Sequence, residues 1–180
     1  KFNYISYYKK NKKVRTKSRG AMLNRLSSQA VPMEIQNKLD IFFGDLKEVG
    51  IAYLGHGVVS DQGDHTGYFS NKSWGEIYIQ NKYFFVEPIL KNYKNQEIDV
   101  ISWTALEDVR SIARTRNEFV QLGSGMTICK RDNAFNTFFN IGFNKDVDII
   151  RFSFLKRDIL LAYFTIFNSC HLSWRKQKSF

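Results

Sequence analysis

Cysteine is scarce in this sequence, and long apolar runs are absent from it. Cys129 and Cys170 are the two cysteines among 180 residues, and their separation matches no metal or redox spacing, so a reducing compartment, the cytoplasm, is indicated. The longest apolar run, at 159–167, is about half of what spans a bilayer. The first residues also lack the apolar core of a secretion signal. We therefore expect a cytoplasmic protein without a membrane segment.

Acidic residues are missing from the first 25 positions, which hold nine of the 27 lysines and arginines. Residues 26–180 therefore carry 18 basic and 17 acidic side chains. Nearly all of the net charge of +10 thus lies in the first 25 residues. We expect residues 1–30 to form a basic N-terminal arm. Such an arm either contacts phosphate or an anionic membrane surface, or is a solvated flexible segment.

The remaining chain has the composition and patterning of one folded domain. Apolar residues make up 43% of the sequence and aromatic residues 16%, which is typical of a globular protein with a substantial core. Hydrophobic spacing and turn residues predict, in order, a helix, a β-hairpin, a helix pair, a strand, a helix, a second hairpin and a helix from about Asp146 to Leu172. This order predicts an α+β fold: an α-β-α sandwich with an antiparallel sheet of about five strands and helices on both faces.

A candidate ligand site is suggested by polar groups set among the aromatic residues of 74–103. Trp74 and Tyr78 are four residues apart on one face of a predicted helix, Glu87 stands directly before Pro88, and Trp103 closes the stretch. Small-molecule pockets combine apolar walls with a few well-placed hydrogen-bonding groups. The alternative is that Trp74 and Tyr78 simply lie on the buried stripe of an amphipathic helix.

The histidines and their neighbours raise the possibility of a metal or hydrolase site. His56, Asp61, Asp64 and His65 cluster near the predicted hairpin, but their spacing fits no known site, and we expect a polar hairpin tip. We expect His171 near the end of the last helix, where a cation interacts favourably with the helix dipole. No nucleophile and base are paired by position. We therefore predict neither an enzyme nor a metal or cofactor site.

The spacing of these residues resembles that of a known family. Trp74-x3-Tyr78, the nine-residue step to Glu87-Pro88, Trp103 and a later Gly-x-Gly ending at Gly125 are similar to the autoinducer-binding domain of LuxR-type quorum-sensing regulators, over roughly residues 33–172. The resemblance implies an α-β-α sandwich that binds an N-acyl-homoserine lactone between the sheet and one helix layer.

The resemblance also implies roles for individual residues. Trp74 would donate its indole N–H to the lactone carbonyl, and Tyr78 would line the acyl chain. Glu87 would accept the ligand amide N–H, Trp103 would wall the lactone ring, and Gly125 would permit close packing.

Three further positions bear on the acyl carbonyl of such a ligand. The resemblance places a polar strand residue near this carbonyl at Asn140. Many members also carry a tyrosine four residues before the first tryptophan, where this chain has Ser70, with Tyr68 on the same strand face. The family acid is aspartate, whereas Glu87 is one methylene longer, which leaves open a ligand other than an ordinary lactone.

The resemblance sets the expected domain limits and partners. Residues 31–174 would form the autoinducer-binding-like domain and residues 175–180 a C-terminal tail, without the helix-turn-helix domain through which such regulators contact DNA. We expect this chain to be either part of a transcription regulator or a stand-alone sensor. In both cases it would act as a homodimer or as a heterodimer with a related regulator. The alternative function is a ligand-free dimerisation module whose last helix turns Phe152, Ile159, Tyr163 and Phe167 outward.

Overall fold

The computed structural model describes residues 27–87, 89, 98–105, 110–132 and 135–178. The strands are β1 (Ser28–Ala30), β2 (Tyr53–Ser60), β3 (His65–Phe69), β4 (Ile98–Ser102), β5 (Ser124–Asp132) and β6 (Phe135–Phe143). The helices are α1 (Met33–Glu48), α2 (Lys72–Gln80), α3 (Arg110–Phe119), α4 (Ile149–Leu155) and α5 (Arg157–Lys178). Short 3-10 helices follow α2 at Tyr83–Phe85 and β4 at Trp103–Ala105.

The strands form one sheet in the order β1-β3-β2-β6-β5-β4. All neighbouring strands are antiparallel except β1, which runs parallel to β3. The sheet thus has six strands where about five were predicted, and it is mixed rather than purely antiparallel. The additional strand lies within the predicted basic arm. It is short and polar, and it is held by pairing with β3, including a 2.9 Å bond from Val31 N to Gly67 O.

Helices cover both faces of the sheet, so the predicted α-β-α sandwich is confirmed. Helices α1, α4 and α5 pack on one face, where Leu39 and Leu46 meet Phe139, Ile141 and other core residues. On β6, Phe139 and Ile141 face this layer, as the two-residue alternation of a strand requires. On the opposite face α2 and α3 pack over the sheet through residues that include Trp74, Tyr78, Ile112 and Phe138.

The last predicted helix is two helices in the structure. Asp148 caps α4 by accepting a 3.0 Å bond from Arg151 N. Helix α4 ends at its C-cap, Lys156, and α5 then runs to Lys178. Phe167 is fully buried against Tyr68 and Phe139. The prediction that Phe167 points outward is therefore wrong, because this face of α5 packs against the sheet.

None of the helices described for this chain is both long enough and apolar enough to cross a membrane. Cys129 and Cys170 are free thiols. Cys129 lies within β5 with its side chain buried, and burial raises the pKa of its thiol. Cys129 is therefore protonated at neutral pH and behaves as a small apolar core residue.

Candidate functional site

Glycines line the face of the sheet beneath α2 and α3. Aromatic rings lie directly over several of them, since a Cβ at Gly67 would meet the Phe69 ring and a Cβ at Gly125 would overlap the Trp103 ring. The close packing expected at Gly125 is therefore present. Further glycines lie on this face at Gly55 and Gly57 on β2 and at Gly142 on β6.

Helix α2 places Trp74 and Tyr78 over this glycine-lined face. Asn71 caps the helix by accepting a 2.9 Å bond from Trp74 N, which fixes the start of the first turn. The four-residue spacing then puts both aromatic side chains on the buried face, as predicted. Gly75, between them, allows the helix to approach the Phe69 ring.

Tyr78 and Glu87 are directly hydrogen-bonded. The Tyr78 hydroxyl donates to Oε2 of Glu87, and both side chains are buried. Burial raises the pKa of Glu87, against the lowering effects of the Tyr78 hydrogen bond and the Arg116 charge. Burial and the neighbouring Glu87 together raise the pKa of Tyr78 well above its usual value. The pair is therefore an internal donor and acceptor, and Tyr78 is more than an apolar wall.

Trp74 contacts a buried tyrosine that the sequence did not single out. Burial raises the pKa of Tyr53 on β2, against the lowering effects of the Arg116 charge and of the Trp74 indole. The Trp74 ring also packs edge-on against Tyr78 at 5.7 Å and stacks on Tyr83 at 5.8 Å between centroids. The signal for Tyr53 was its position two residues before Gly55, which places both on one face of a strand.

Trp103, Thr127 and Asn140 form a hydrogen-bonded chain across the sheet. The Trp103 indole donates to Thr127 Oγ1 at 2.8 Å, and this hydroxyl donates to Asn140 Oδ1 at 2.7 Å. Trp103 and Asn140 were predicted site residues, and the structure brings them together. Thr127 was not predicted, although it stands two residues after Gly125 and so shares its strand face.

Arg116 is a further site residue that sequence reasoning missed. Its guanidinium carbon lies 3.9 Å from the Trp103 ring centroid, and the residue is 8% exposed. Burial lowers its pKa, while the nearby Tyr53 and Glu87 raise it. Helix α3 is rich in charged residues, a composition typical of a solvent-exposed helix. The available signal was the four-residue spacing of Arg116 from buried Ile112.

Tyr68 borders the cavity, but the hydrogen bonds of Tyr68 and Ser70 are made away from it. The Tyr68 hydroxyl donates to Asp40 Oδ1 on α1 at 3.0 Å, so its side chain lies on the opposite face of the sheet. Ser70 Oγ accepts a 2.9 Å bond from Leu54 N. Their shared face was predicted correctly, but it is the face beneath α1 and α5. Phe69 faces the site instead.

The predicted polar hairpin tip does not include the histidines. Asp61 and Asp64 lie at or beside the turn, but His56 and His65 are buried along the strands. His65 stacks on Phe84 at 4.4 Å, next to the candidate site. His171 is also buried, and burial lowers its pKa, so it is neutral rather than a cation at the helix end. Within the described part of the chain, no group of three or more potential ligands could hold a metal.

The side chains around the site leave little space. One cavity of about 30 Å³ lies among residues that include Tyr53, Trp74, Trp103 and Arg116, which is room for roughly two water molecules. A neighbouring cavity of about 20 Å³ has Phe84, Ile89 and Phe138 in its wall. The two cavities share the lining residues Gly57, His65, Tyr78, Glu87 and Asn140. A lipid-sized ligand therefore requires these side chains to move apart.

Comparisons with known proteins give the class of the fold. No protein-family model and no curated protein matches the sequence. Solved structures do match. The ligand-binding domain of VqsR from Pseudomonas aeruginosa aligns with a TM-score of 0.55 at 13% identity, covering 87% of this chain and 98% of that one. CepR2 from Burkholderia cenocepacia, described as an N-acylhomoserine lactone dependent LuxR family transcription factor, aligns with a TM-score of 0.54 at 15% identity, covering 67% and 74%.

A third similar structure is SdiA from Escherichia coli. It aligns with a TM-score of 0.55 at 12% identity and covers 84% of this chain, which spans 65% of the SdiA chain. Another SdiA structure, in complex with octanoyl-rac-glycerol, aligns with a TM-score of 0.53 at 14% identity. The chain thus has the fold of the autoinducer-binding domains of LuxR-type regulators. The resemblance indicated by the sequence is confirmed at the level of this fold.

Proposed function

We propose that this domain senses a small amphipathic signal, an N-acyl-homoserine lactone or a related molecule, as part of a quorum-sensing regulator of transcription. The observation that supports this most is the convergence of polar groups on one glycine-lined face of the sheet. Trp74, the Tyr78–Glu87 pair and the Trp103–Thr127–Asn140 chain come from five separate segments and meet around the same cavity. CepR2 and SdiA, which share this fold, are described with an acyl lactone and an acylglycerol respectively.

The polar groups of the site can exchange internal partners for ligand atoms. The Trp74 indole can donate to a ligand carbonyl, and Glu87 can accept an amide N–H in place of the Tyr78 hydroxyl. The additional methylene of Glu87, relative to the aspartate of the family, lets its carboxyl reach Tyr78. Movement of the His65–Phe84 stack would join the two cavities and make room for an acyl chain.

Ligand binding is expected to stabilise the fold, because a ligand that binds only the folded state shifts unfolding by mass action. At a free concentration 100 times Kd the gain is about 2.7 kcal/mol, or a rise in Tm of roughly 5 to 10 °C for a domain of this size. Thermal unfolding with long-chain acyl-homoserine lactones measures this gain, and we expect Trp74→Ala and Glu87→Ala to abolish it.

The matched control for this experiment is Tyr163→Phe. Tyr163 lies on α5, where its hydroxyl donates to Asp45 Oδ2 at 3.0 Å, on the opposite side of the sheet from the site. This variant should show the same lactone-induced rise in Tm as the wild type. The proposal is contradicted if no acyl compound raises Tm and mass spectrometry finds no small molecule extracted with the purified protein.

A second candidate function is a ligand-free module that dimerises or binds a related regulator. The supporting observation is an exposed apolar surface formed by α4 and strand β4. Ile150 and Phe154 are 82% and 81% exposed, and Leu155 is also exposed. Beside them, Ile98 and Val100 line a groove of about 460 Å³. The exposed apolar surface thus lies on α4 and β4, and not around Phe167 as the sequence predicted.

The dimerisation hypothesis predicts that Phe154→Asp weakens self-association, because a charge at the centre of an apolar interface must be desolvated. Sedimentation velocity should show a dimer for the wild type and a monomer for Phe154→Asp. The control is Ile41→Asp, which introduces the same charge at a 70% exposed position on α1 and should remain dimeric. A wild-type monomer at all concentrations, also with a related regulator added, would rule this function out.

A further inference from the structure

Arg116 places a buried positive charge in the wall of the candidate site. It reaches the cavity from α3, is 8% exposed, and lies 3.9 Å over the Trp103 ring. Among the residues that the structure describes, its Nε has no hydrogen-bond partner. Buried guanidinium groups are normally paired with an anion and have their donors satisfied. This donor is unused inside a cavity that also holds other polar groups.

No carboxylate described in the structure neutralises this charge by direct contact. The three ion pairs among the described residues, Lys38–Glu34, Lys72–Asp40 and Arg131–Asp61, all involve other side chains. Glu87 is the acid that lines the same cavity, and it is hydrogen-bonded to Tyr78. Burial raises the pKa of Glu87 and so favours its neutral form. Arg116 is therefore a buried cation that no described carboxylate contacts in an ion pair.

The two adjoining cavities differ in character along their length. Tyr53, Trp103 and Arg116 line the first cavity alone, whereas Glu87 and Asn140 border both cavities. The second is lined at its far end by Phe84, Ile89 and Phe138. A molecule that spans both would therefore place a polar head beside a cation and an apolar chain among these rings and the isoleucine.

We propose that the ligand is an amphipathic acid, with a carboxylate on the Arg116 guanidinium and an acyl chain directed toward Phe84, Ile89 and Phe138. This inference rests on the proposed function, because it specifies the ligand class of the same site. A guanidinium binds a carboxylate through two parallel N–H donors. Among the described residues, a neutral lactone would leave the buried charge of Arg116 without a counter-ion in direct contact.

A matched pair of ligands tests the inference directly. N-dodecanoyl-homoserine and its lactone differ in whether the head carries a free carboxylate or a closed neutral ring. Titration calorimetry at pH 6.5, where the lactone opens slowly, gives Kd for both with the wild-type chain. We expect the open acid to bind at least about tenfold more tightly, because a buried charge-assisted hydrogen-bond pair contributes that much or more.

Variants of Arg116 identify the source of this preference. Arg116→Gln should bind acid and lactone with similar Kd, and Arg116→Lys should keep part of the preference because it retains the charge but not the planar fork. The control is Arg114→Gln, which removes an exposed arginine from the same helix and should leave the ratio unchanged. Circular dichroism establishes that each variant is folded, and if Arg116→Gln is not, the wild-type ratio and Arg116→Lys decide.

The outcomes separate this inference from the proposed function. Equal binding of the two compounds, or tighter binding of the lactone, overturns the acid assignment and leaves acyl-signal sensing intact. A preference for the acid that persists in folded Arg116→Gln also overturns it. Failure of both compounds to bind contradicts the acid assignment and the acyl-signal function together.

Discussion

Gly125→Ala is expected to lower the free energy of unfolding by about 3 kcal/mol or more, since overpacking a closely packed position typically costs 1–3 kcal/mol and occasionally more. A Cβ at this position would overlap the Trp103 ring. The ring cannot retreat freely, because its indole is bonded to Thr127 and its other side contacts the Arg116 guanidinium. Displacing Trp103 would therefore disturb the site as well as the fold.

Gly44→Ala is the matched control for this substitution. Gly44 lies within α1, and a Cβ there would have no heavy atom within 4 Å, so this change should raise stability by about 0.5–1 kcal/mol through helix propensity. Urea denaturation followed by circular dichroism measures both variants. A Gly125→Ala protein as stable as the wild type would show that Trp103 does not pack on the sheet in this way.

Acidification from pH 7.5 to pH 5 is expected to remove about 2 kcal/mol of stability for each of His56 and His65. Burial lowers the pKa of both to about 3, from an ordinary value of 6.5. Below about pH 6.5 the two histidines therefore bind protons in the unfolded chain but not in the folded chain. Stability is greatest above this pH and falls as the pH decreases toward 3.

The hydrogen bonds of His56 and His171 explain why these rings resist protonation. His56 Nε2 donates to Asn168 Oδ1 at 3.2 Å, so its Nδ1 accepts from His171 Nδ1 at 3.0 Å. His171 Nε2 then accepts from the Thr66 hydroxyl at 2.7 Å. Both rings are neutral and bonded at both nitrogens in this arrangement. An added proton would set two N–H groups against each other, near the positive charge of Arg175.

Urea denaturation at pH 7.5, 6 and 5 tests this expectation. The chain has three histidines, all of them buried, so no exposed imidazole obscures the result. Glu87 acts in the opposite direction, because its raised pKa favours the folded state as the pH falls, and it is present in every protein compared. His65→Gln should show a shallower loss of stability than the wild type. A wild-type stability that is constant from pH 7.5 to 5 would contradict the burial of these rings.

Features set by local spacing could be predicted from the sequence. The helix that carries Trp74 and Tyr78, and the alternating faces of β6, follow from periodicities of 3.6 and 2 residues, which act within a few residues of chain. The sequence also predicted Glu87 and Tyr78 for one site, but not the direct hydrogen bond between them. Pro88 itself lies outside the described residues.

Features set by distant contacts could not be predicted in this way. Tyr68 and Ser70 share a strand face, but only the packing of α1 and α5 determines which layer that face meets. Arg116 lies in a polar helical segment, and its burial depends on Trp103 from another part of the chain. The burial of His56 likewise depends on Asn168 and His171, more than a hundred residues away.

The parallel pairing of β1 determines where this domain can be shortened. Ser28, Gln29 and Ala30 pair with His65, Thr66 and Gly67, and Ser27 bonds Asp64 through both its N–H and its hydroxyl. A protein that starts at residue 31 would lose this strand and present the unpaired main-chain groups of β3 to other molecules, which is a template for aggregation. A version that starts at Ser27 would lack most of the basic N-terminal arm and would keep β1 paired with β3 at this edge of the sheet.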